Sequence, residues 1–449
     1  MFRVAVEVTN IYICASRFSL RDVDMVFCES IIRHLVSFRI PRIISCEEEK
    51  REKIVIVGGG IMGCSAAYSC KVRGLGYTLL ESNHSVITSS WGESRILRLS
   101  YGDPLMVRMM RRSYDIWGEM ENVLDRNLLI KTPVLTLFRQ DQTGSMEAFR
   151  DQMKAFEATK TEYEIVNKHD GVKFFENDVG LIQNDGACVL ASEAVSGLRE
   201  FVGYEEERVV RIDRNRKWVE TESGKKYEYD KLILTAGAWT NKLLVDSGLE
   251  TVPYIPSLEQ FVYYDEVEEG AGKLPIIIEI TKQNGRVRGV YLVPHIEGGG
   301  VPGVKVGMHC NGELMQNEKE FVRGKNVSLD SIANERNKED DVIHGIHTGL
   351  DTMMESVTRD FVKNHLPGID ASRVSSYGRC IYQCCGLKDG KFLIGQHPHD
   401  RHIFIAVGFT GEGFKFGPVI GEFLVQLATH ETRCDLWKDM QKEFALDRV

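Results

Sequence analysis

Lys53-Ile54-Val55-Ile56-Val57-Gly58-Gly59-Gly60-Ile61-Met62-Gly63-Cys64-Ser65-Ala66-Ala67-Tyr68 carries a β-branched run into glycines and out again into small, helix-compatible residues. It reads as strand, tight turn and helix. Gly58, Gly60 and Gly63 fit G-x-G-x-x-G: the first allows the turn, the second lets backbone approach a pyrophosphate, and the third packs the helix against the strand. A phosphate would sit on the helix N-terminus. The next strand, Tyr77-Thr78-Leu79-Leu80-Glu81, ends in an acid 23 residues after Gly58, where a carboxylate accepts from ribose hydroxyls. A dinucleotide without a phosphate on that ribose is the expected ligand. A glycine-rich turn with no ligand is the competing reading of the motif alone.

With 449 residues, the chain exceeds one ordinary core and suits two interleaved domains. A net charge of −9 without a basic block argues against nucleic acid as partner. Eleven cysteines, an odd number without paired metal-type spacing, argue against a disulfide framework and against a metal site. No apolar run reaches the length of a membrane span.

Residues 1-50 precede the nucleotide fold, and a poorly ordered extension is expected there. Arg95 and Arg98, three apart in Ser94-Arg95-Ile96-Leu97-Arg98, would share a face of a helical turn. Pro104 to Leu124 carries Leu105, Met109, Met110, Tyr114, Ile116 and Trp117 at helical spacing and reads as packing. Further along, Leu232-Ile233-Leu234-Thr235-Ala236-Gly237-Ala238-Trp239 is a strand running into a small-residue turn. In Gly303-Val304-Lys305-Val306-Gly307-Met308-His309, alternation puts Lys305, Gly307 and His309 on one face of a strand; a solvated face would explain them equally well. Leu350 to Leu366 is an amphipathic helix stopped by Pro367-Gly368. Near the end, a buried strand delivers Gly408-Phe409-Thr410-Gly411-Glu412-Gly413-Phe414-Lys415 into a helix from Val419 to Ala428.

These stretches, taken in order from about Lys53 to Leu436, resemble the monomeric sarcosine oxidase family of flavoprotein amine oxidases. The matches are Gly58 to Gly63, Gly92-Glu93-Ser94-Arg95-Ile96-Leu97-Arg98, Thr235 to Trp239, Gly303-Val304-Lys305-Val306, Arg379-Cys380-Ile381-Tyr382 and Gly408 to Lys415. The resemblance implies an α/β fold: a glutathione-reductase-like, Rossmann-type FAD-binding domain, discontinuous in sequence, with a β-rich mixed-sheet substrate domain. The expected partition gives 51-98, 169-250 and 370-449 to the FAD domain, and 99-168 and 251-369 to the substrate domain.

The resemblance also assigns residues. FAD is expected to contact Gly58, Gly60, Gly63, Glu81 and Ser82 at one end. Val209, Ala236, Gly237 and Trp239 follow, and then Phe409, Gly411, Gly413, Phe414 and Lys415. A covalent 8α-S-cysteinyl bond is expected through Cys380, although Gln383-Cys384-Cys385-Gly386 departs from the family pattern just beyond it. Arg98, Lys415 and Tyr382 match substrate-binding positions, the two cations holding a carboxylate. Glu93 and Asp103 are nearby acids that could pair with Arg98 instead. Arg95, Lys305, Tyr291 and His309 match residues around the flavin ring, Lys305 being the one that promotes reaction with dioxygen.

The implied activity is oxidation of a secondary or N-methylated α-amino acid such as sarcosine or pipecolate to an imine, with O2 reduced to H2O2. A dehydrogenase or primary amino-acid oxidase of the same fold, and a flavin-binding homologue without catalysis, are the rivals. The expected partners are the amino acid and O2, with no nucleic acid or membrane and with a monomeric chain. A peroxisomal location fits the family, but Asp447-Arg448-Val449 is a poor match to a peroxisomal tripeptide, so the cytoplasm stays open.

Overall fold

A computed structural model describes residues 52–82, 88–267, 274–283, 286–296, 301–315, 342–343, 346–347, 350–431 and 434–448. The expected extension over 1-50 and the Gly298-Gly299-Gly300 loop lie outside them.

The run Ile54–Val57 forms a strand buried along its whole length. It lies between Tyr77–Glu81 and Lys231–Leu234, parallel to both, with Ile54 opposite Tyr77 on one side and Lys231 on the other. Asp400–Val407 pairs in parallel beyond Lys231–Leu234, and Leu393–His397 closes that edge antiparallel. Glu205–Glu206 completes a six-strand order at the opposite edge. Central strands covered on both faces must be apolar throughout, which is why Ile54–Val57 and Leu232–Leu234 are continuous hydrophobic runs. The helices Ile61–Val72 and Gly417–Ala428 cover this sheet in one core with Pro104–Leu124.

The second sheet has nine strands. It is built around Tyr254–Tyr264, which pairs antiparallel with Ser376–Cys385 over ten residues and with Val304–Met308. Val290–Val293, Ile276–Glu279, Val134–Arg139, Asp178–Gln183 and Glu164–Val166 continue it. Val304 and Val306 point into a core with Val262, Tyr264, Leu292 and Phe361. Period-two alternation therefore turns Lys305 to the other face.

The two sheets correct the expected boundaries. Asp178–Gln183 belongs to the nine-stranded sheet rather than to a segment starting at 169, and Ser376–Cys385 belongs there rather than to a segment starting at 370. Ser376–Cys385 finds its partner, Tyr254–Tyr264, far away in sequence, and Asp178–Gln183 lies between Glu164–Val166 close by and the more distant Val134–Arg139. Arg95 is a second correction. Ser94–Leu97 is a strand paired antiparallel with Ala187–Leu190, so Arg95 and Arg98 do not share a helical turn.

Pro104–Leu124 is the helix that its spacing predicts. Asp103 caps it by accepting from the Leu105 N–H at 2.8 Å, and proline occupies the first turn, where its missing N–H costs nothing. Its buried face includes Val107, Met109, Met110, Ile116 and Trp117. Trp117 Nε1 and Ser113 Oγ both donate to the Lys415 carbonyl, at 3.1 and 2.6 Å, so this helix fixes the backbone of the C-terminal glycine-rich loop.

Candidate active site

At the C-terminal ends of the parallel strands lies a cavity of about 840 Å³. Gly58 opens it with φ at +97°, and a Cβ there would come within 2.5 Å of the Thr235 carbonyl oxygen. Only glycine fits. Gly60, Glu81, Ser82, Val209, Ala236, Gly237 and Trp239 line the same wall, and Phe409, Gly411, Gly413 and Phe414 close it. Gly63 does not line the cavity; a Cβ there would meet the Gly58 carbonyl oxygen at 1.8 Å, so it serves the helix-to-turn packing. The Glu81 carboxylate accepts from the Gly59 N–H and lies 3.3 Å from Arg199 Nη2.

Arg199 is one residue the motif reading missed. It sits in the helix Ala191–Val202 and donates from Nε to the Gly59 carbonyl at 2.8 Å. Nothing local marks it, because the contact crosses 140 residues. Ser90 is another: its hydroxyl accepts from the Ile61 N–H at 3.1 Å, at the helix start.

A second cavity of about 110 Å³ adjoins the first, and Arg95, Tyr382, Gly411 and Phe414 line both. It gathers Arg98, Tyr291, Lys305, His309, Cys380, Glu412 and Lys415. Gly411, with φ at +77°, leaves space for Tyr382; a Cβ would fall 2.1 Å from its ring.

Lys305 is buried, 4% exposed, with Nζ 4.0 Å from the Phe261 ring centroid and 3.3 Å from the Ser94 carbonyl oxygen. A solvated face is thereby excluded. Burial, with Arg95 close by, pushes its pKa down to about 7. Arg95 donates to the carbonyls of Ser94, Ser89 and Trp91. Burial holds the Cys380 thiol up at about 11 and lifts the Tyr291 and Tyr382 phenols, while it lowers His309, so that histidine is neutral at pH 7.

Arg98 and Lys415 meet at the opposite end. Arg98 takes neither acid near it in sequence. Its Nη2 bonds the Glu412 carboxylate at 2.7 Å, and Nη1 donates to the Ser100 carbonyl. Asp103 is the helix cap, and Glu93 accepts from the Val301 N–H at 3.0 Å. Lys415 Nζ donates to the Glu412 carbonyl at 3.2 Å. Burial pushes the Lys415 pKa down to about 7 despite that carboxylate. The neighbouring cations hold Glu412 below the usual carboxylate range. Glu412 is the main residue of this site to which the sequence gave no role.

The departing stretch after Cys380 belongs to the same wall. Gln383 accepts from the Gly408 N–H at its side chain (3.2 Å) and from the Thr410 N–H at its carbonyl (2.9 Å).

A family model described as FAD dependent oxidoreductase matches residues 53–427. The chain belongs to this family. Among individual relatives, peroxisomal sarcosine oxidase of Mus musculus is 25% identical, over 83% of this chain and 91% of the mouse protein. Monomeric sarcosine oxidase of Bacillus sp. (strain B-0618) is 26% identical, over 85% of this chain and 94% of its own length. Fructosyl amine:oxygen oxidoreductase (Amadoriase I) of Aspergillus fumigatus shares the fold at a TM-score of 0.66 and 18% identity, covering 88% of this chain and 89% of that one.

FAD fits what the chain of this FAD-dependent oxidoreductase presents. The larger cavity has a side-chain-free floor at Gly58 and an acid at the end of the second strand, and its far end opens onto the cluster around Lys305. No helix among the described residues is long and apolar enough to cross a membrane.

Proposed function

We propose that the protein oxidises secondary or N-methylated α-amino acids at the CH–NH bond. The observation carrying this reading is that Arg98 and Lys415, remote in sequence, line one small cavity that shares Arg95, Tyr382, Gly411 and Phe414 with the cofactor-sized one. The names of the sarcosine oxidase relatives support it. FAD, held in the larger cavity by residues such as Gly58, Glu81, Ala236 and Phe409, would supply the two-electron redox chemistry, with dioxygen as the terminal acceptor and hydrogen peroxide as its product.

The chain's own groups do the rest. Lys415 keeps donors beyond its bond to the Glu412 carbonyl, and with Arg98 it receives the substrate carboxylate. A carboxylate seated there points the amine end toward Arg95 and Tyr382, at the wall common to both cavities. Tyr291 and His309 shape the pocket, and neutral His309 leaves the net charge to the cations and Glu412. Lys305 places a positive charge on the ring side, protonated below about pH 7 and lost above it. Cys380 lines the smaller cavity with Tyr382, which borders both cavities, and would carry the covalent bond to the cofactor. The sarcosine imine would hydrolyse to glycine and formaldehyde.

A panel of sarcosine, pipecolate, N-methyl amino acids and primary amino acids, assayed for peroxide, tests the proposal. Peroxide released by the secondary amines supports it. Turnover only with an artificial electron acceptor would replace the oxidase reading with a dehydrogenase, and no turnover with any acceptor would remove it.

A further inference from the structure

Glu412 is a third charge in a corner that needs only cations to hold a carboxylate. One oxygen bonds Arg98 Nη2 at 2.7 Å; its other oxygen has no hydrogen-bond partner among the described residues, and the residue lines the smaller cavity. Arg98 and Lys415 together bring two positive charges, and Glu412 removes one. A single net charge is left for a ligand.

The two other cations of the cavity are already engaged by the protein, so the corner beside Glu412 sets the charge that a ligand meets there. Arg95 is committed to three backbone carbonyls, and Lys305 to the Ser94 carbonyl and the Phe261 ring. Neutral His309 adds no charge, and Glu279 adds a second acid to the lining. Ile96, Ile278, Ile280, Val290 and Val293 make up much of the remaining wall. In a space of about 110 Å³, a second carboxylate held close to the Arg98–Lys415 corner would lie near the Glu412 carboxylate or against hydrocarbon.

We infer that Glu412 makes the cavity selective for secondary amino acids that carry one carboxylate and against those that carry two. The inference rests on the carboxylate-holding role proposed for Arg98 and Lys415. Two like charges about 6 Å apart at a protein-like effective dielectric repel strongly enough to lower affinity on the order of tenfold to a hundredfold.

The test uses the FAD-loaded enzyme and two ligands that it cannot oxidise at nitrogen, (methylthio)acetate and thiodiacetate, the sulfur analogues of sarcosine and iminodiacetate. Each is titrated against the flavin absorbance spectrum. The wild type should bind the monocarboxylate at least about tenfold tighter, Glu412→Gln should reduce that ratio of dissociation constants by about tenfold or more, and Glu412→Asp, which keeps the charge, should preserve the preference. Equal binding of both ligands by the wild type, or an unchanged ratio in Glu412→Gln, overturns the inference while the carboxylate-holding role stands. Failure of the wild type to bind either ligand overturns both.

Discussion

Arg98 Nη2 and Glu412 Oε1 lie 2.7 Å apart across 314 residues of sequence, joining the end of the strand Ser94–Leu97 to the glycine-rich loop near the end of the chain. The pair is partly shielded, with side-chain exposures of 12% and 24%. A substrate carboxylate entering this corner must therefore share Arg98 with an internal acid and take its main donor from Lys415.

Removal of either cation should weaken carboxylate binding. A charge-assisted hydrogen bond is worth about 1.5–3 kcal/mol, or roughly ten- to a hundredfold in affinity. Arg98→Ala and Lys415→Ala should also lose the preference for an amino acid over its neutral amide. Retention of the wild-type acid-to-amide ratio in both variants would show that the carboxylate is held elsewhere.

The depressed pKa of Lys415 gives binding a pH dependence. The lysine is protonated below about 7 and neutral above it, whereas a bound carboxylate favours the protonated form. Affinity for a non-oxidisable carboxylate should be full below pH 7 and fall toward tenfold per unit above it, with a proton taken up on binding at pH 8. Glu412, Glu279, Arg98, Arg95 and His309 face the same cavity, as does Lys305, also near 7, which lies over the Phe261 ring. Lys415→Met should flatten the profile, whereas Lys305→Met should not, as titrations from pH 6 to 9 would reveal.

Lys305→Met should slow reoxidation of the reduced flavin far more than its reduction by substrate, because the charge matters when electrons pass to oxygen. Stopped-flow measurement of the two half-reactions decides this. Equal losses in both would exclude the role.

FAD should stay with the wild-type protein through acid denaturation and leave Cys380→Ser, since a thioether survives unfolding and non-covalent contacts do not. If the yellow colour still travels with the denatured serine variant, Cys384 or Cys385 becomes the anchor to test.

Gly411→Ala should weaken cofactor retention in the Cys380→Ser background by at least about tenfold. The added Cβ would fall 2.1 Å from the Tyr382 ring in a left-handed backbone, so either the ring or the loop must move. An unchanged FAD dissociation constant would show that the wall yields without cost.

Much of this was legible because the decisive signals are local. Gly58, Gly60 and Glu81 are spaced along one strand–turn–helix–strand unit, and Lys305 is placed by alternation within one strand. The apolar spacing from Leu105 to Trp117 marks the helix Pro104–Leu124 within one stretch. What escaped is set by distance. The sheet membership of Ser376–Cys385 depends on Tyr254–Tyr264, far away in the chain, and the strand at Ser94–Leu97 on pairing with Ala187–Leu190. Arg199 meets Gly59 across 140 residues. Glu412 is an acid between two glycines, and nothing beside it in the chain shows the arginine that it meets.

The larger cavity takes its walls from Val57 through to Phe414, and the sheet beneath it is completed by Asp400–Val407, a strand made long after its neighbours. A polypeptide still emerging from the ribosome at residue 400 has the phosphate turn at Gly58 and neither Phe409 nor Lys415. The cavity is thus walled in full only when synthesis has nearly ended, and a chain interrupted before the final glycine-rich loop would lack Phe409, Gly411, Gly413 and Phe414 from that wall.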